Sequence, residues 1–78
     1  MIYELTITRQ TWDEVGKFFR TNSERVQQFE DEAEARKVFR EHHRPVPNGG
    51  KRTQCTLMAI DGRRRTILLP AWAQGVRV

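Results

Sequence analysis

The chain has 78 residues, with 14 Lys+Arg against 10 Asp+Glu, a formal net charge of +4 and one cysteine. That length holds one domain, residues 1–78, with a modest core, and a lone thiol excludes an internal disulfide and fits a reducing compartment. No apolar run approaches the roughly 18 residues of a membrane span, and Met1-Ile2-Tyr3-Glu4 lacks the basic, apolar start of a secretory leader, so a cytoplasmic protein with no membrane partner is expected.

The first elements are read from periodicity. Tyr3, Leu5 and Ile7 alternate with Glu4, Thr6 and Thr8, the pattern of a half-buried strand with one wet face. Thr11-Trp12-Asp13-Glu14 fits a capping box, and Trp12, Val15, Phe18 and Phe19 follow at helical spacing, so the pattern predicts a short helix over 12–21 with Trp12 in the core. Gly16 weakens that helix by about 1 kcal/mol relative to Ala. A second strand paired with the first is the alternative for the same residues.

Arg25 to Phe29 reads as a short strand. Asp31 and Glu34 form a second capping box ahead of a stripe of Ala35, Val38, Phe39 and His42. Acidic residues crowd the start of this helix and Arg36, Lys37 and Arg40 its end, which suits the helix dipole. Glu32–Arg36 and Glu34–Lys37 have the spacing of supporting ion pairs. A single helix from Ser23 to His43 is the competing assignment. The segment Arg44-Pro45-Val46-Pro47-Asn48-Gly49-Gly50 reads as a linker, because its prolines remove donors and Asn-Gly-Gly is turn chemistry.

Lys51 to Leu69 holds two β-favouring runs around Asp61-Gly62, a strong hairpin signal. A two-residue Asp-Gly loop would set Ile60 opposite Arg63 and Met58 opposite Arg65, with Arg63 and Arg65 on one face and Arg64 on the other. Pro70 ends the last strand. Trp72 is the one large side chain of the tail, in which Val76-Arg77-Val78 has the composition of a brief edge strand. The elements sum to an α+β domain: a small, mostly antiparallel sheet, one main helix packed on one face, and a second short helix at 12–21.

Charge is divided unevenly. Residues 1–43 hold 7 Lys+Arg against 9 Asp+Glu, a balance of −2, whereas residues 44–78 hold 7 against Asp61 alone, a balance of +6. The candidate binding residues are therefore Arg63, Arg64 and Arg65 with Lys51, Arg52 and Arg77, plus Trp72 as an interface anchor. Clustered cations favour a phosphate backbone or an acidic protein face, although the same charges also protect a hairpin edge from pairing. No metal site is expected, since His42, His43 and Cys55 are too few and badly spaced. Gly49-Gly50-Lys51-Arg52-Thr53 lacks the first Gly and the Ser/Thr of a phosphate loop, so no cofactor is expected. A catalytic reading would have Arg63, Arg65 and His43 cutting RNA, as in small ribonuclease toxins. Nothing in the spacing requires it, and no catalytic residue is assigned.

In its short length, its opening strand YELTI at 3–7, its FEDEAEARKVF stretch at 29–39 and its closing basic hairpin, the chain resembles small accessory proteins of phages and mobile elements, anti-CRISPR proteins in particular. The resemblance implies a stoichiometric inhibitor of a CRISPR-Cas effector complex, working in the host cytoplasm by blocking nucleic-acid binding or cleavage. It transfers no residue roles. The basic charge departs from the acidic DNA mimics of that class and points to an acidic protein patch, or to guide RNA or DNA held in the complex. A small module that binds DNA or RNA directly is the alternative.

Overall fold

The computed structural model describes residues 1–71. Among them the chain forms β1 (Ile2–Asp13), β2 (Phe18–Phe29), α1 (Glu32–His42), β3 (Arg44–Asn48), β4 (Lys51–Asp61) and β5 (Arg64–Leu69). The sheet is antiparallel, in the order β2-β1-β4-β3, with β5 also paired to β4. The class is α+β, with most of the chain in strands.

The expected helix over 12–21 is replaced by the far end of a long hairpin. Asp13 makes the turn: its Oδ1 accepts from the amides of Val15 (2.9 Å) and Gly16 (3.2 Å), and its carbonyl accepts from Lys17 N–H at 2.8 Å. Lys17 takes φ +58° to close the loop. Thr11 is no helix cap; its hydroxyl accepts from the Asn22 amide across the hairpin. Trp12 pairs with Phe19 as a cross-strand neighbour, ring centroids 5.2 Å apart, so it is half-buried on the sheet rather than in the core. Phe18 and Phe19 take opposite faces, and Phe18 is half exposed. Asn22 is an extra residue on β2, absorbed as a bulge where the register shifts between Arg9 and Gln10.

Residues 25–29 are the end of this longer β2, and helix begins only at Glu32, which excludes a helix from Ser23. Asp31 caps α1, its carboxylate accepting from Ala33 N–H at 3.2 Å. Glu32 pairs with Arg36 at 3.0 Å; the expected ion pair between Glu34 and Lys37 is not formed. Ala35 and Phe39 are fully buried with Leu5, Ile7, Cys55 and Leu57 in one core cluster. These four strand residues alternate along the paired strands β1 and β4 and therefore share a face.

The supposed linker is β3. Only Arg44 and Asn48 pair with β4, which fits a strand whose Pro45 and Pro47 have no N–H to donate and so must lie at an edge. Gly49 and Gly50 both have positive φ (64° and 74°), as a two-residue type I′ turn demands. The β4–β5 hairpin differs from expectation by one step. Its loop is Gly62-Arg63, with Asp61 opposite Arg64, Ile60 opposite Arg65 and Met58 opposite Ile67. Only Gly62 has positive φ (59°), the pattern of a II′ turn with Gly first.

β3 and β5 share one side of β4, leaving a gap between Thr53 and Leu57. His43 fills it. Its Nδ1 accepts the Cys55 backbone N–H at 3.0 Å, and its ring lies 4.4 Å from that of Phe39.

Candidate functional site

The β4–β5 turn sets Arg63 at the apex, with Arg64 and Arg65 on opposite faces just behind it. All three are exposed. Among the described residues none of them has an ion pair, and their carboxylate neighbours across the turn reduce to Asp61. Among the described residues no ion pair joins them to the acids of residues 30–34, of which Glu32 is paired with Arg36. Ile67 and Ile2, exposed by 52% and 41%, lie on the same face as Arg65. The tip is thus a cationic apex with an apolar margin.

Lys51 and Arg52 do not join this tip. They stand at the other end of β4, about 33 Å away at ten strand rises, in a molecule 42 Å long. Arg52 is held there by partners that sequence spacing could not reveal. Its guanidinium lies 3.8 Å from the Phe19 ring centroid, and its Nε donates to Gln10 Oε1 at 2.6 Å. A cation over an aromatic face is favourable, so Arg52 with Phe19 and Trp12 forms a small built cluster on the face away from α1. Lys51 is exposed on the other face, diagonal to Arg9, which in turn is diagonal to Arg25. Arg9 and Arg25 were not among the sequence candidates. They lie 16 residues apart, and only antiparallel register brings them together.

Other sequence candidates are accounted for differently. His43 is buried at Cys55, whereas Arg65 faces Ile60 five residues further along β4, about 17 Å away. The residues imagined for RNA cleavage therefore do not converge. Cys55 is fully buried, and loss of solvent around it pushes its thiol up to about 11 against a weaker opposing pull from Arg44. The Asp13 carboxyl is held below the usual carboxylate range chiefly by the Gly16 amide; the Val15 amide and Arg20, paired at 2.8 Å, act in the same direction. Arg44 donates to the carbonyls of Arg40 (2.9 Å) and His43 (2.7 Å), a cation on the C-terminal end of α1 where the helix dipole favours one.

Among the described residues no group of three or more His, Cys, Asp or Glu side chains could hold a metal ion, and no helix is long and apolar enough to cross a membrane. Trp72, Arg77 and the expected strand at 76–78 lie outside the described residues. No family model matches the chain, and neither a curated protein nor a solved structure matches it.

Proposed function

We propose that this is a non-enzymatic inhibitor of phage type, one that seats a cationic tip on a nucleic-acid-handling partner and blocks nucleic-acid binding or cleavage there. The observation that supports it is the set of three consecutive arginines, Arg63 to Arg65, exposed at one end of an elongated molecule with no ion pair among the described residues. Guanidinium groups suit bidentate contact with carboxylate or phosphate, and a concentrated charge of one sign steers association with an acidic patch. The adjacent exposed Ile67 and Ile2 supply the apolar contact that a protein interface adds to such charges.

The resemblance to anti-CRISPR proteins makes a CRISPR-Cas effector complex the first partner to test. Purified protein titrated into a target-cleavage assay should inhibit with a sharp stoichiometric end point. Arg63→Glu/Arg65→Glu should lose inhibition while keeping the native circular dichroism spectrum and melting transition. Full cleavage in the presence of excess native protein would remove the effector as partner, and unchanged inhibition by the double variant would remove the tip.

A further inference from the structure

On the face that carries α1, the sheet continues past the end of the helix. His43 docks at Cys55, and beyond that point β1, β2 and β4 display Arg9, Thr11, Ser23, Arg25, Lys51 and Thr53 from the same face. Arg25 is opposite Ile7, Arg9 is opposite both Ser23 and Thr53, and Lys51 is opposite Thr11. Diagonal neighbours of this kind stand about 7–8 Å apart. Arg25, Arg9 and Lys51 therefore form a diagonal row across three strands, roughly 15 Å from end to end.

The row is open and weakly opposed. All three side chains are exposed and none has an ion pair among the described residues. Asp13, an acid of the same hairpin, is already paired with Arg20. Glu24, opposite Thr8, alternates towards the other face but also borders the cavity beside Arg9 and Arg25, so it is the acid nearest the row. Two shallow cavities of about 300 and 430 Å³ meet at Arg9 and Ser23, and between them they reach Arg25 on one side and Lys51 on the other. Arg44 adds positive charge from the adjoining end of α1.

We infer that this platform binds the sugar-phosphate backbone of a nucleic-acid strand, with Arg25, Arg9 and Lys51 each facing a phosphate. Regular spacing of like charges matches a repeating polyanion. The groups between them are the hydroxyls of Ser23, Thr11 and Thr53, which are ordinary partners of phosphate oxygens. An acidic protein is the poorer fit, since a protein interface needs a large apolar or aromatic anchor at its centre, whereas the exposed Phe18 and Val46 flank the row and neither stands between Arg25 and Lys51. This inference does not rest on the role proposed for the tip; the two surfaces occupy opposite ends of β4.

The test is fluorescence anisotropy with a labelled oligothymidylate and, as a second arm, a duplex of the same length, read across a salt series. Three phosphate contacts predict a log–log salt slope near −2 for the single strand and near −3 for the duplex. For the single strand that is about a 15-fold loss between roughly 50 and 200 mM salt. Arg9→Gln/Arg25→Gln should cut the single-strand slope to about −0.7 and the salt-dependent loss to about 3-fold, with its melting transition as the check on folding. Arg63→Gln/Arg65→Gln, at the other end of β4, should keep a steeper slope than the platform variant. The arm with the tighter binding identifies the strand form taken. No binding of either probe at low salt, or a platform variant that binds with the native slope, would overturn the inference. A loss confined to the tip variant would also overturn it, by moving the contact to the other end, and would leave the inhibitor reading intact.

Discussion

Replacing His43 with Leu tests how the split edge of β4 is held together. The substitution removes the acceptor for the Cys55 N–H, now met at 3.0 Å, at a position where neither β3 nor β5 offers a carbonyl. A buried amide left without a partner costs about 1–3 kcal/mol, and losing the contact with Phe39, ring centroids 4.4 Å apart, costs about another 0.5–1.5 kcal/mol. The expected loss is about 2–4 kcal/mol, a large share of a total of order 5–15 kcal/mol. At about 4–8 °C per kcal/mol for a domain of this size, the melting point should fall by roughly 10–30 °C. His43→Asn offers a carbonyl oxygen in place of Nδ1 and should recover part of the loss. Urea denaturation of the three proteins, with hydrogen exchange at the Cys55 amide, measures both effects. A Leu variant as stable as the native protein, with that amide still protected, would show that the imidazole is not what closes the gap.

Two further outcomes follow from buried groups. The thiol of Cys55 rises from 9.0 to about 11 on folding, so the unfolded chain gives up its proton first as pH increases. Stability should therefore decline between about pH 9 and 11, by about 2–3 kcal/mol at about 1.4 kcal/mol per pKa unit. Cys55→Ala, compared with the native protein at both ends of that range by urea denaturation, should lack this component. Gln27 Oε1 is buried with no hydrogen-bond partner among the described residues, so Gln27→Leu should raise stability by about 1 kcal/mol, read as a higher urea midpoint with an unchanged slope.

Elements whose own side chains carry the pattern were legible in the sequence. The alternation from Tyr3 to Thr8 belongs to β1, and Asp31 caps α1. β2 was obscure because FFRTNSERVQQF has no period of its own; its register comes from pairing with β1, and the bulge at Asn22 breaks what alternation there is. The helical spacing of Trp12, Val15, Phe18 and Phe19 arises by coincidence from two opposed strand ends and the turn between them. β3 was hidden by prolines that an edge strand tolerates. The β4–β5 hairpin was recognisable, but Asp-Gly marks either a I′ turn centred on both residues or a II′ turn that begins at the Gly, and the chain takes the second.

The candidate surface was half visible for a related reason. Arg63, Arg64 and Arg65 are contiguous in the chain and remain so in space. Lys51 and Arg52 belong to the same hairpin in sequence, yet β4 is long enough to carry them far from its turn. The row of Arg9, Arg25 and Lys51 exists only through pairing between residues as far apart in the chain as Arg9 and Thr53. No local motif announces it.

The bulge at Asn22 separates two properties of the outer hairpin that usually change together. Without the extra residue, Gln10 would still face Thr21 and Trp12 would still face Phe19, because the partners on both sides of the bulge are already those of a continuous ladder. What the insertion changes is the local twist of the strand, and with it the direction in which the Glu14–Lys17 loop points. A one-residue deletion there would swing the arm to a new angle while leaving its display of side chains intact, so the geometry of approach to a partner can drift without any change in the chemistry presented.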